Sequence, residues 1–345
     1  MLRFYKYAFC LLVLFSIAIS SYAQEKISGY DTNYVESNSK RLLLRLYTSK
    51  KYTDLVSNVP GVDKGYRFMP NTGLNLGLGF TYQAFTLNIA APLSFMNPDR
   101  YTDWPKYFDL QAHAYPKNFI IDFLGQFYKG YSIEPKFLQN SNEAYPREDL
   151  RLTTIGLNVN YLLYGEKLSL QASFNQSEIQ KKSAFSPFVG FEAYGGSVKG
   201  DSLLLPATEL IDATINFAKS RYFQAGPNAG LAGTLVFGGG FFLTGVASAN
   251  LSLGFSEWEN QEVSKKWGVV PTYFLRGFFG YNNRRFSINA NYVYKHSNLV
   301  KVEDFNNSIN TGNYRINLIY KINVSEKFAR GFHKINPFTI LGLNK

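Results

Sequence analysis

The sequence predicts an all-β protein, a transmembrane antiparallel up-and-down β-barrel of about 12 strands, within a range of 12–14. Three observations carry this. Residues 73–92, GLNLGLGFTYQAFTLNIAAP, place Leu74, Leu76, Leu78, Phe80 and Tyr82 on one face of an extended strand and Asn75, Gly77, Gly79, Thr81 and Gln83 on the other. After a joint at Gln83-Ala84 the alternation resumes with Phe85, Leu87 and Ile89, the rhythm of a hairpin with one face in lipid and one toward a lumen. Aromatic residues make up 17% of the chain, with 25 Tyr and 30 Phe, an excess that girdles at two membrane interfaces would absorb. Tight joints near 83, 117, 165, 239 and 283 alternate with longer polar links near 92–106, 129–150, 256–267 and 298–311, the asymmetry of short turns and long loops found in outer-membrane barrels.

The elements follow in order. Residues 1–23 set Arg3 and Lys6 before an apolar run from 7 to 19 and end in Ser21-Tyr22-Ala23, the pattern of a secretory signal cleaved after Ala23. A periplasmic N-terminal segment, 24–39, and a barrel with loops, 40–345, are expected to follow. Cys10 is the single cysteine and lies in the leader, so the mature chain is expected to have no disulfide. The first strand is expected over 41–47. Weaker strands over 107–115 and 119–128 meet at Pro116-Lys117-Asn118. A strand over 155–163 leads to a turn at Gly165-Glu166, and Leu168, Leu170, Ala172 and Phe174 are expected to lead away as its partner. The uncharged run between Arg221 and Glu257 is long enough for a membrane helix. Its eight glycines, each about 1 kcal/mol worse than alanine in a helix, argue for a hairpin turning at Gly238–Gly240. Strands over 273–281 and 286–294 join at Asn282-Asn283, and another covers 314–322. Residues 199–222 are read as a further strand, a plug or a short periplasmic helix, and 335–343 as a candidate closing strand. Trp104, Trp258 and Trp267 fall in the expected links.

The chain carries 36 Lys+Arg against 25 Asp+Glu, a formal net charge of +11. No basic helix or RNA-binding motif accompanies the excess, so nucleic acid is not an expected partner. Outer-membrane lipid and lipopolysaccharide, the barrel-assembly machinery during insertion and a small solute are the expected partners of a monomer. Passive passage or binding of a small solute is the expected activity; the alternative is a structural or surface-interaction barrel that binds glycolipid, polysaccharide or protein through its loops. A lipid-modifying enzyme is disfavoured: the chain has three histidines, and the adjacent pair His296-Ser297 would point to opposite faces of a strand. No cofactor or metal is expected, since no spacing of ligands or phosphate loop is present.

Two constellations are singled out. Gln176, Ser177, Gln180, Lys181, Lys182 and Ser183 form a polar run that either enters the lumen or meets a phosphorylated glycolipid, against the plainer reading of a solvated loop or a network pinning the barrel register. His113, Asp122, Arg276, Lys295, Arg315 and Lys321, with Lys167, fall in the lumen-facing phase; they favour anions if they line open water, or hold the interior together if they pair with Asp122, Glu192 or a plug.

Four stretches, YDTNYVESNSKRLLLRLYTSKKYTDL (30–55), FYKGYSI (127–133), YPREDLRLTTIGLNVNYLLYGEKLSLQASF (145–174) and FNQSEIQKKSAFSPFVG (174–190), resemble the uncharacterised outer-membrane β-barrel family of Bacteroidetes known as domain of unknown function 4421. The last motif is the most specific, because barrel physics does not demand a polar NQS-x-x-QKKS run; it departs from the family pattern at Phe185, where a glycine is expected. The resemblance implies an outer-membrane barrel over nearly all of the mature chain and brings no activity.

Overall fold

The computed structural model describes residues 29–335 apart from 39, 60–61, 63–64, 83–84, 99–105, 115–117, 210–216, 260–262 and 304. The expected leader, the turns at 83–84 and 115–117, Trp104 and most of 335–343 lie outside the described residues. The wall is built from β2 (Arg41–Asn58), β3 (Tyr66–Pro70), β4 (Asn75–Tyr82), β5 (Phe85–Pro92), β6 (Lys106–Ala114), β7 (Phe119–Ile133), β8 (Tyr145–Leu162), β10 (Ala184–Lys199), β11 (Lys219–Phe237), β12 (Phe241–Glu259), β13 (Val263–Asn282), β14 (Phe286–Asn298) and β15 (Asn306–Asn323). Two short strands, β1 (Val35–Ser37) and β9 (Glu178–Gln180), pair only with each other. Helix α1 (Gln171–Phe174) precedes β9, and α2 (Glu326–Ile335) ends the described chain.

Every pairing is antiparallel, and β15 closes on β2 over their full lengths, Asn306 opposite Asn58 through Asn323 opposite Arg41. The hydrogen-bonded ring contains ten strands: β2, β15, β14, β13, β12, β11, β10, β8, β7 and β3. Short β3 closes only one end, pairing β2 at Leu55–Ser57 and β7 at Tyr131–Ile133. Below it the hairpin β4–β5 hangs from β2 and β6 from β7, and no ladder joins β5 to β6 among the described residues. Counted round the wall beneath β3, with β4, β5 and β6 in its place, the strands number twelve.

The alternation read in the sequence is the alternation of this wall. On β13 Val269, Leu275 and Phe279 are exposed while Val270, Thr272, Arg276 and Phe278 are buried. Lipid covers such an outward face, and closure of the ring leaves no spanning edge unpaired along β15 and β2. No helix among the described residues is long and apolar enough to cross a membrane. At the turn end, β11 passes to β12 through Gly238–Gly240, where Gly239 and Gly240 adopt φ of 82° and 99°, conformations that glycine supplies at least cost.

Several expectations need correction. The described residues of the polar link expected at 256–267 are strand: β12 runs to Glu259 and β13 begins at Val263, with Trp258 facing inward and Trp267 outward. A bilayer needs about ten residues per strand, so strands of 19 and 20 residues project beyond it and carry charges there. For the same reason the link at 129–150 shrinks to 134–144, and the first strand extends from 41 to 58. Residues 168–174 do not form the return strand of a hairpin; they turn into the barrel and make α1. Within 199–222 the described residues are the end of β10, a 3-10 turn at Ala207–Glu209 and the start of β11; 210–216 lie outside the described residues. Closure is made by β15 on β2, and the described chain after β15 ends in helix α2.

Tyr194 lies over Gly156 on the inner wall, where a Cβ would sit 1.9 Å from the ring. Gly156→Val is expected to destabilise the barrel by about 1–3 kcal/mol through overpacking, read as a lower urea midpoint in lipid vesicles; an unchanged midpoint would remove the contact from the account.

Candidate functional site

Residues 163–183 enter the barrel from the turn end. Ser169 Oγ accepts from the Ala172 N–H at 3.1 Å, giving the first turn of α1 a side-chain acceptor. Asn175 Oδ1 accepts from the Ser177 N–H at 3.1 Å, and Gln176, at φ 56°, reverses the chain with its Nε2 donating to Ser173 O at 2.6 Å. The returning strand β9 pairs with β1, Val35 opposite Gln180 and Ser37 opposite Glu178. Together these form a plug. Its apolar side, Leu168, Leu170 and Phe174, packs against Ile120, Leu162, Phe188, Ala232 and Val246 of the wall. Its polar side is held by Asn282, whose Nδ2 donates to Ala172 O at 3.1 Å and Glu178 O at 2.9 Å, and by Arg45, which donates to Asn175 O at 3.0 Å. A cavity of about 10 Å³, lined by Ala172, Ser173, Gln180, Gly240, Phe242 and Asn282, is the space beside it.

Above the plug lies a belt of paired charges. Arg276 donates to Asp122 Oδ2 across the lumen, and His113 Nδ1 meets the other oxygen of Asp122 at 2.6 Å. Phe174 from the plug and Phe274 from the wall sit 5.0 and 4.2 Å from the Arg276 guanidinium, adding cation–π contact. Lys295 faces Glu192 at 3.4 Å. Arg315 lies over the Tyr47 ring at 4.7 Å, and Lys321 donates to Asn282 Oδ1 at 2.5 Å and Asn283 O at 2.7 Å. Nearer the loop end Asp109 gathers Lys51 Nζ at 2.8 Å, Gln126 Nε2 at 3.0 Å and the Tyr128 hydroxyl at 2.8 Å. Beyond that belt the loop end is sealed by Leu55, Tyr66, Phe68, Tyr131, Ile133, Leu150, Leu152, Leu204, Phe217, Trp258 and Phe305, all buried in one cluster.

Of the polar run, Gln176, Ser177 and Gln180 are buried in the plug, where Gln180 Oε1 accepts from the Ser169 N–H at 2.8 Å and its Nε2 donates to Lys167 O at 2.7 Å. Lys181 and Lys182 are at the exposed rim, Lys182 and Lys167 within 5.5 and 5.7 Å of the Tyr34 ring. Ser183 accepts from the Val236 N–H at 2.9 Å. The six residues therefore divide between a buried plug and its rim. Asp122, Arg276, Lys295, Arg315 and Lys321 face the interior, and His113 sits beside the open β5–β6 seam. Sequence reasoning placed Asp109 on the face of His113 but missed Arg45, Lys51 and Tyr194; all three occupy the inward phase of their strands, which is the signal that would have found them.

His296 and Ser297 point to opposite sides of β14. The imidazole lies between Asn310 Oδ1 at 2.6 Å and Asn298 Oδ1 at 3.0 Å and stacks on Tyr273, while Ser297 Oγ accepts from Gln224 Nε2 at 2.6 Å inside.

The family model described as "Domain of unknown function (DUF4421)" matches residues 29–322. No curated protein matches the sequence. Among solved structures, the outer membrane protease OmpT from Escherichia coli is similar at 9% identity and a TM-score of 0.38, with 82% of this chain and 97% of that one covered. The β domain of the Bordetella autotransporter BrkA is similar at 10% identity and 0.34, covering 80% and 98%. The outer membrane channel COG4313 from Pseudomonas putida F1 is similar at 10% identity and 0.25, covering 87% and 100%.

Removing one partner of a buried pair strands the other, whereas removing both does not. Arg276→Met is expected to cost about 3–5 kcal/mol and Asp122→Asn/Arg276→Met distinctly less; equal losses in urea unfolding would deny the coupling. Burial lifts the Glu178 carboxyl, in the plug and outside the spanning strands, from 4.5 to about 7, against the hydrogen bond from Ser169. A folded pKa above the unfolded one means the folded state holds the extra proton between those values, so stability falls as pH rises from 4.5 through 7. Glu178→Gln is expected to flatten that part of the stability–pH curve; a slope identical to wild type would show that Glu178 is not its source.

Proposed function

The chain belongs to the DUF4421 family, and we propose that it is an outer-membrane barrel closed at rest, which works as a binding or structural protein through its outer surface rather than as an open pore. The observation that carries this reading is the filled interior: plug, charge belt and apolar cap succeed one another along the lumen, and each interior cation named above has a partner. An anion-selective pore needs cations facing free water, whereas Arg276 is spent on Asp122 and Lys295 on Glu192.

The turn end, where β2 begins and β15 ends, is assigned to the periplasm and the loop end to the exterior, following the asymmetry of such barrels. A cleaved leader and a monomeric state belong to the same reading. His296 and Ser297 lie on opposite faces of β14, which supports a non-enzymatic role.

A second reading keeps small-solute passage or binding. Asn88 is exposed on β5, and His113 is exposed on β6 beside Asp122, so a solute reaching the seam would meet the charge belt from the side.

Single-channel recording in planar bilayers separates these readings. Refolded wild-type protein is expected to be silent, and a variant lacking residues 168–181 that keeps heat-dependent gel migration is expected to stay silent too, because the charge belt and the apolar cap still close the lumen. Stable openings of the wild type would overturn the closed-barrel reading.

A further inference from the structure

Outside the lumen, at the loop end, four basic residues stand directly opposite one another on four successive strands. Lys129 pairs with Arg151, Arg151 with Lys199 and Lys199 with Lys219. Cross-strand partners share a face, and this is the outward one: Arg151 is in phase with exposed Ile155 and Tyr161, Lys199 with Phe191, and Lys219 with Phe223. Lys106 is opposite Lys129 in register and extends the row by one position along the backbone. With strands about 4.8 Å apart, the four span about 14 Å.

Like charges placed directly opposite each other destabilise a sheet, and three such pairs in succession need compensation from elsewhere. The acids nearby supply it only at the β11 end of the row. Glu259 pairs with Lys219, and Glu257 lies 3.8 Å from Arg221 on the β11–β12 side. Asp149, two residues beyond Arg151, accepts from Arg147 Nε and Nη2 at 2.8 Å each and from the Asp201 N–H at 2.7 Å. Lys129, Arg151 and Lys199 make no ion pair or side-chain hydrogen bond among the described residues.

The height of the row identifies what would compensate it. Phe127 lies two residues toward the membrane from Lys129, and Ile155 and Phe223 lie four residues in from Arg151 and Lys219, all exposed. Opposite Phe223 on the next strand, Phe255 meets the tilted ring of Trp267 at 5.1 Å, with Lys265 at 4.1 Å from the Phe255 ring. Aromatic residues of this kind mark the interface, so the cations just outside them stand at the level of lipid headgroups, where charge-assisted hydrogen bonds to phosphate are strong.

We propose that Lys129, Arg151 and Lys199, flanked by the ion-paired Lys219, form a binding site for the phosphorylated sugar headgroup of an outer-leaflet glycolipid, whose acyl chains lie along the apolar wall below. The proposal rests on the reading of the loop end as exterior and of the outer surface as the working surface.

The test measures binding of diphosphorylated lipid A and of its dephosphorylated form to the full barrel in detergent micelles, by native mass spectrometry. Wild type is expected to prefer the diphosphorylated lipid, and Lys129→Gln/Arg151→Gln/Lys199→Gln to bind it at least about tenfold more weakly, as loss of a charge-assisted contact implies, with the dephosphorylated lipid unaffected. The single variants, including Arg151→Lys as the conservative one, keep the test decisive if the triple variant fails to fold. Equal binding of both lipids by wild type, equal affinity in all variants, or displacement by millimolar inorganic phosphate as effective as by lipid would each overturn the site. Conductance recorded on the same samples separates the two claims: a conducting wild type defeats the closed-barrel reading and leaves the lipid result to stand or fall by itself.

Discussion

The bridge between Arg276 and Asp122 joins β13 to β7, strands on opposite sides of the ring, through residues 154 positions apart in sequence. A charge directed into a narrow barrel must find its counter-charge inside it, because desolvation of an unpaired ion costs several kcal/mol. Arg276 meets that requirement with a carboxylate across the lumen and aromatic faces on either side. The second bridge, Lys295 with Glu192, does the same between β14 and β10. Strand number and shear set the width of the barrel, and these crossings span it at its middle, with the plug below and the cap above.

The plug depends on this arrangement directly, since Phe174 at the end of α1 lies against both Arg276 and Phe278, the latter ring 4.3 Å away. Its other attachments are backbone acceptors offered to Asn282 and Arg45 and the three-residue ladder with β1. Glu36 on β1 in turn holds Arg284 at the turn that follows β13, at 2.7 and 3.1 Å. The interior is thus a connected polar assembly, and such networks specify a unique arrangement only when their members are satisfied.

Much of this was legible. The two-residue period located the long hairpins, and the phase of Asp122, Arg276, Lys295, Arg315 and Lys321 put them on the inner face because strand geometry allows no other assignment once the apolar face is in lipid. The plug was misread because Leu168, Leu170, Ala172 and Phe174 alternate as a strand would, yet a segment enclosed by protein buries both of its faces and the period loses its meaning. A signal for it was present: Ile120, Leu162, Phe188 and Val246 are apolar in the inward phase at the turn end, a break in polar-inside patterning that demands a cover. The same break at the loop end, in Leu150, Leu152, Val198 and Trp258, announces the apolar cap. The partners of the charges, by contrast, are set by ring closure and by β3, which no local pattern reveals.

The central claim is that residues 168–180 belong to the folded interior. Amide hydrogen exchange of the barrel in lipid nanodiscs tests it most directly. The account predicts that the amides of Ser173, Phe174 and Lys181, bonded to Leu170 O, Leu170 O and Tyr34 O, are protected comparably with those of β12 and β13. Exchange of these amides at the rate of a free chain, with the wall fully protected, would contradict it.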